Sequence, residues 1–275
     1  MLGNPHKPEA AAALSELKEF ASARCEVVWC GLCLDGRGAI DAGADRVVVI
    51  GGDGTLIGVA RALSTKQIPL IGVNIGKLGF LAEFSLEELM AHFEQAICDD
   101  ELISRRTMLR VTVGEGGATR ATYPVVNDCV IQAGPPFRVI TLGVAINHHH
   151  LTDVSGDGLI VCTPSGSTAH NLSAGGPIMQ CGVDAIVLTP LCPHSLSHRP
   201  LVIERDTEIE VVACTVNEGT TAIIDGQVSC PLGQGDRVTV KRFEADCMLV
   251  RNPLFTGWHK LVHKLHWGKP PGDDQ

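Results

Sequence analysis

Apolar positions fall at helical spacing among the first hundred residues and in short strand-like runs after them. In residues 8–23, Leu14, Leu17 and Phe20 recur every three positions behind a proline, which predicts a helix. Residues 26–30 read as a strand, and the β-branched run 46–50 as a buried one. From Thr55 onward, Leu56, Ile57, Val59, Ala60 and Leu63 predict a second helix, and residues 69–73 the next strand. Ser85-Leu86-Glu87-Glu88 has the form of a capping box, opening a helix with Leu89, Phe93 and Ile97 on one face. This strand–helix alternation predicts a Rossmann-like α/β domain over residues 1–101, a parallel sheet with helices on both faces.

After Glu101 the texture changes. Runs at 108–113, 122–132, 139–146, 158–162, 185–189, 201–203, 207–212, 220–224 and 237–241 are rich in β-formers and separated by turn signals. They predict an all-β domain over residues 102–251, a sandwich or a barrel. At the end, Trp258, Leu261, Val262 and Leu265 share one helical face. That helix is expected to pack back on the first domain, so residues 252–275 are assigned with residues 1–101.

Composition narrows the class. The 275 residues are 45% hydrophobic and 19% charged, which fits a globular chain with real cores and excludes a disordered one. A net charge of −9 without a basic run argues against a sequence-independent nucleic-acid binder. No apolar stretch reaches membrane-spanning length, and the opening Met1-Leu2-Gly3-Asn4-Pro5-His6-Lys7 lacks the apolar core of a signal peptide. Eleven cysteines, an odd number mostly set in apolar runs, indicate a reduced, cytoplasmic protein. Cys30-Gly31-Leu32-Cys33 is a CxxC that could be half a zinc site or a redox pair, without a second CxxC or HxxxH to complete a site. His148-His149-His150 reads as the exposed tip of a hairpin between residues 139–146 and 158–162, with metal binding as the alternative.

The chemistry concentrates at Gly51-Gly52-Asp53-Gly54-Thr55, between a predicted buried strand and a predicted helix. Glycines let the backbone turn sharply and bring N–H groups to a ligand, and the following helix points its N-terminus at the same spot. Gly51, Gly52, Gly54 and Thr55 are therefore candidate phosphate-binding residues. Asp53, a lone carboxylate among phosphates, is the candidate catalytic group. The string is not GxGxxG, and the chain has no GxxxxGK[ST] and no HExxH. A second segment, residues 157–177, is dense in small and hydroxylated side chains that allow close approach to a polar ligand.

On these motifs, with Asn74-Ile75-Gly76-Lys77-Leu78-Gly79-Phe80-Leu81, Asn127-Asp128, residues 192–200 and Asp225-Gly226-Gln227 in the same order, the sequence resembles the NAD kinase family. The resemblance implies an α/β domain followed by a β-sandwich, with NAD between them. It also implies phosphoryl transfer from ATP to the adenosine-ribose 2′-hydroxyl of NAD, giving NADP, with Mg²⁺ or another divalent cation. Asp53 matches the family's proton acceptor and, with Gly54, faces the ribose. Asn127 and Asp128 match a pair that holds ribose hydroxyls. Phe80, Thr168 and Ala169 match residues around the adenosine. Asp157, His170 and Ser173, with Asn171 and Leu172 beside them, match positions along the rest of the dinucleotide, and Arg138 and Gln227 align with further contacts. No metal ligand is assigned. Relatives are oligomers, so a homodimer or homotetramer is expected, with small-molecule substrates and neither nucleic acid nor membrane as partner.

Three departures stand out. His170 replaces the tyrosine usual after Thr-Ala, Ser155 stands where relatives are often basic, and Met1-Leu2-Gly3-Asn4-Pro5 stands where relatives carry a full first strand. The expectation for the last is that the first strand is missing or the start lies upstream. Two rivals share part of the pattern. A lipid or sphingoid kinase would share the glycine turn but not residues 157–177, and a non-catalytic dinucleotide sensor would have no need of Asp53.

Overall fold

The computed structural model describes residues 1–76, 79–256, 258, 262, 264 and 265. Two compact units emerge. One comprises Met1–Leu63, Ile68–Ser104 and the described residues from Met248 onward; the other comprises Ser64–Gln67 and Arg105–Cys247.

The first unit is built on a sheet ordered Gly31–Leu32, Leu2–Gly3, Val47–Gly51, Leu70–Asn74, Cys247–Val250, Ile103–Arg106. Its first four strands run parallel. The alternation of strand side chains sends Val48 and Ile50 to one face. There they join Leu14, Leu17 and Ala21 of the helix Pro8–Ser22 and Leu89, Phe93 and Ala96 from the segment after the capping box. Helix Asp53–Leu63 lies against Val47–Gly51 and Leu70–Asn74, burying Leu56, Ile57, Val59, Ala60 and Leu63. This is the expected parallel sheet with helices.

Four local expectations change. Residues 26–30 form no strand; the strand is the pair Gly31–Leu32 just beyond them. The first strand is present, as Leu2–Gly3, between Gly31–Leu32 and Val49–Ile50. The capping box forms as read, Ser85 Oγ accepting from Glu88 N and the Glu88 carboxylate from Ser85 N. The helix it opens stops at Ala91, however, and a second, Phe93–Cys98, begins after His92, whose φ of −114° departs from helical geometry. At the chain's end Trp258, Val262, Lys264 and Leu265 are helical. They belong to the first unit, where Lys264 Nζ stands over the Phe80 ring, but Trp258 and Val262 are exposed and Leu265 is half-buried, so the expected apolar face is not the one covered; Leu261 lies outside the described residues.

The second unit is a sandwich of two six-stranded antiparallel sheets. One runs His149–Gly156, Ile140–Ile146, Ile209–Thr215, Arg237–Arg242, Leu109–Glu115, Ala118–Val125; the other runs Leu201–Glu204, Ala185–Leu191, Gly158–Cys162, Asp128–Gln132, Thr221–Ile224, Val228–Pro231. Leu109, Val111, Leu142, Val144, Val211 and Val240 of the former meet Cys129, Ile131, Leu159, Val161, Ile186 and Ile224 of the latter in one core. The outer face of the latter sheet buries Val130, Ile160, Cys162 and Val187 under Met179. A covered outer face explains why residues 158–162 read as a continuous apolar run.

Residues 122–132 prove to be two strands, broken at 126–127. The hairpin partner of Ile140–Ile146 is His149–Gly156, so the tip is Asn147 and His148 at φ 48° and 66°, and His149 and His150 belong to a strand. Among the described residues no helix is long and apolar enough to cross a membrane. All eleven cysteines are free.

Candidate functional site

The glycine turn takes the form that its residues dictate. Gly51 ends its strand against Thr55: a Cβ on it would fall 2.5 Å from Thr55 Oγ1. That hydroxyl is buried and accepts from Asn4 Nδ2 at 2.7 Å, so Thr55 fastens the turn from beneath. The open positions are Gly52, half-buried, and Gly54, exposed. Over Gly52 the nearest groups to a notional Cβ are Lys7 Nζ at 3.6 Å and Asn74 Oδ1 at 3.8 Å. Lys7 also donates to Ile75 O at 3.2 Å. An ammonium group therefore stands beside a glycine turn at a helix N-terminus, an arrangement suited to an anion.

Asp53 is the first residue of the helix and half-buried. Oδ2 accepts from Phe80 N at 2.7 Å, and Oδ1 from Leu81 N at 3.0 Å and Ala82 N at 2.9 Å. Three N–H groups on one carboxylate fix its orientation. Gly79 makes this possible, since a Cβ there would lie 1.9 Å from Asp53 Oδ1. The Phe80 ring carries Lys264 Nζ 4.3 Å from its centroid. Lys77 and Leu78 of the same motif lie outside the described residues.

In the β unit, Asn127, Asp128, residues 163–168 and residues 225–227 come together at one end of the third sheet. Asp128 pairs with Cys162, and Thr163 N donates to Asn127 O at 2.8 Å. Asn127 Oδ1 is buried with no hydrogen-bond partner among the described residues. Asp128 is buried, and burial first, then the Asp225 charge, pushes its carboxyl up to about 7. The small residues of the loop allow dense packing. Gly166 passes so near Asn127 that a Cβ would sit 2.2 Å from Asn127 O. Ser167 Oγ donates to Pro164 O and accepts from Met179 N.

The loop's polar side chains divide into two sets. Asn171 is fully buried: Nδ2 donates to Ser167 O and Pro177 O, and Oδ1 accepts from Thr189 Oγ1 at 2.6 Å. Its amide thus ties the loop to strand Ala185–Leu191. Thr168, Ala169 and Leu172 are half-buried, and His170, Ser173 and Gln227 are exposed. Asp157 and Arg138, both exposed, are at the other end of strands Gly158–Cys162 and Asp128–Gln132, where Ala133 N donates to Asp157 O. Four strand steps of about 3.3 Å separate the two ends.

Gly79, Thr163 and Asp225 lie in the quoted motifs but were given no role there, and Lys7 was not among the candidate residues; all four act at these places. A glycine directly before the loop that binds Asp53 was the available signal for Gly79.

Among the described residues, the one group of three metal-ligating side chains is His148, Glu208 and Glu210, on the β unit. Its carboxylates are already engaged: Glu210 by His148 Nδ1 and Arg237, Glu208 by Lys241 at 2.8 Å. Cys30 and Cys33 belong to no such group; Cys33 Sγ donates to Asp35 O.

Residues 5–102 match the model of the ATP-NAD kinase N-terminal domain and residues 126–252 that of the C-terminal domain. The NAD kinase of Geotalea daltonii is 42% identical over 233 residues, covering 85% of this chain and 82% of that protein. The NAD kinase of Syntrophobacter fumaroxidans is 35% identical over 271 residues, 96% of each. In fold, the chain is similar to yeast NADH kinase complexed with NADH, with TM-score 0.84 and 22% identity over 98% of this chain and 87% of that one. It is also similar to an Archaeoglobus fulgidus NAD kinase in complex with ATP, with TM-score 0.78 and 22% identity over 96% and 97%. Both family models in order, and relatives above 30% identity along nearly the whole length, show that the chain belongs to the ATP-NAD kinase family.

Proposed function

We propose that this chain transfers the terminal phosphoryl group of ATP to the 2′-hydroxyl of the adenosine ribose of NAD, giving NADP and ADP. The observation that carries this reading is Asp53, a carboxylate oriented by three backbone N–H groups at a glycine turn. A ribose hydroxyl is a poor nucleophile until a base engages its proton. In the reaction a bond forms between the ribose oxygen and the γ-phosphorus, and the bond to the β–γ bridging oxygen breaks. The hydroxyl proton passes to Asp53.

The α/β unit supplies Gly52, Gly54 and Lys7 toward the donor phosphates, with Gly51 and Thr55 holding the turn; Asp53 and Gly54 also face the acceptor ribose, and Phe80 the adenosine of NAD. The β unit supplies acceptor contacts: Asn127 and Asp128 to ribose hydroxyls, Thr168 and Ala169 around the adenosine, and His170, Leu172 and Ser173 along the dinucleotide. Asn171 shapes that loop from within, and Asp157, Arg138 and Gln227 offer exposed polar groups. With a single carboxylate at the turn, the protein suits a divalent cation that arrives as the counter-ion of ATP, where it neutralises phosphate charge. The NADH-bound and ATP-bound proteins of the same fold support both substrates.

The test is purified chain with Mg²⁺, NAD and ATP, with NADP measured by a coupled dehydrogenase. NADP formation dependent on all three components is expected. Phosphorylation of diacylglycerol with no NADP formed overturns the reading.

A further inference from the structure

Residues 126–127 interrupt the chain between strands Ala118–Val125 and Asp128–Gln132, and such a break leaves backbone polar groups to be satisfied elsewhere. One side chain takes three consecutive donors. Asp225 Oδ1 accepts from the N–H groups of Val126 at 3.2 Å, Asn127 at 2.7 Å and Asp128 at 3.1 Å, and Oδ2 accepts from Val126 at 3.0 Å. The carbonyls are held as well. Thr163 donates Oγ1 to Val126 O at 2.7 Å and N–H to Asn127 O at 2.8 Å, and Asp225 N donates to Asp128 O at 2.9 Å. The Asn127 backbone is thus fixed at both its N–H and its C=O, beneath a side-chain oxygen that is buried and unpartnered among the described residues. Buried polar atoms are nearly always hydrogen-bonded, so this oxygen, seated on a fixed backbone, is an acceptor that still lacks a donor.

Asp225 also has a local reason for its place. Asp225 and Gly226, at φ 49° and 66°, turn the hairpin between Thr221–Ile224 and Val228–Pro231, and Asp-Gly suits such a turn. Asparagine or glycine serves that turn equally well. Turn chemistry does not require a carboxylate aimed at three N–H groups 97 to 99 residues away in sequence.

We propose that Asp225 is a positioning residue for the acceptor: its carboxylate, opposite Thr163, locks residues 126–128 so that Asn127 presents its amide to the ribose. This rests on the reading of Asn127 as an acceptor contact.

The experiment measures NADP formation by the full chain with NAD and ATP varied separately. Asp225→Gly keeps the turn conformation and removes the carboxylate. It is expected to raise the KM for NAD about tenfold while leaving the KM for ATP within about twofold. Asp225→Asn, which keeps one acceptor oxygen, recovers most of the loss. Thr163→Val, of the same shape without the hydroxyl, also raises the KM for NAD. In the Asn127→Ala background Asp225→Gly adds less than about threefold, because the residue acts through Asn127.

An unchanged KM for NAD in Asp225→Gly, while Asn127→Ala raises it, overturns the inference. So does an equal rise in the KM for ATP, or the full tenfold effect repeated on Asn127→Ala. If Asn127→Ala itself leaves the KM for NAD unchanged, the acceptor reading fails and the inference falls with it. Should Asp225→Gly not fold, an unchanged KM for NAD in Thr163→Val is the overturning result.

Discussion

Replacing Gly79 by alanine should disarm Asp53 without touching any group that reacts. The added Cβ would fall 1.9 Å from Asp53 Oδ1 and 2.7 Å from its Cγ. A relaxed carbon–oxygen contact is about 3.3 Å, so carboxylate and loop must separate by about 1.4 Å. No arrangement that does so keeps the bonds from Phe80, Leu81 and Ala82, which run from 2.7 to 3.0 Å. Hydrogen bonds to a charged group are each worth about 1.5–3 kcal/mol, so part of the clash becomes lost stability and part becomes displacement. A misplacement of about 1 Å at a reacting group costs about 100-fold in rate. The expected result is a kcat for NADP formation lower by about 100-fold, with a melting temperature lower by several degrees. Gly182→Ala, where a Cβ meets nothing within 4 Å, is the control. A folded Gly79→Ala protein with kcat near the wild-type value would refute the argument that Gly79 exists to seat Asp53.

Asp128→Asn tests the buried carboxyl. Because the unfolded chain releases this proton near its ordinary value of 3.8 and the folded chain holds it to about 7, wild-type stability falls as pH rises between those values. The penalty is complete above about 7. The variant should be more stable by up to about 4 kcal/mol at pH 8 and converge with wild type near pH 4 in urea titrations; a pH-independent difference contradicts the shift. Lys7→Met should raise the KM for ATP several-fold and leave that for NAD unchanged, and the reverse pattern in steady-state kinetics would move Lys7 to the acceptor. His170→Tyr should keep kcat/KM for NAD within about threefold, while His170→Ala, which loses ring packing worth about 1 kcal/mol, should lower it by about fivefold. Equal activity of all three forms would show that the ring touches nothing that matters.

The fold was legible where a local pattern carried it. Residues 158–162 read as a strand with the bounds observed, since an apolar run covered on both faces carries its own signature. Ser85 and Glu88 read as a capping box because that motif is complete within four residues. The pairs Leu2–Gly3 and Gly31–Leu32 could not be read: two residues make no period, and only the sheet across the chain defines them as strands. The break at residues 126–127 was hidden because Val125 and Val126 prolong a β-like run, and the groups that satisfy the break, Asp225 and Thr163, come from far along the chain. The candidate site divides the same way. Glycines and a lone aspartate identify the phosphate turn from sequence, but the same letters cannot tell that Thr55 and Asn171 face inward. Nor can they show Lys7 standing over Gly52, a contact that spans the sheet's first loop.

The most direct measurement of the central claim is the turnover of Asp53→Asn. The amide keeps nearly the same shape and an oxygen for the N–H groups of residues 81 and 82, but it cannot take a proton from a ribose hydroxyl. With saturating NAD and Mg·ATP, the folded variant should form NADP about 10²–10⁴-fold more slowly than wild type, with both substrates still bound. A folded Asp53→Asn protein turning over near the wild-type rate would contradict the account.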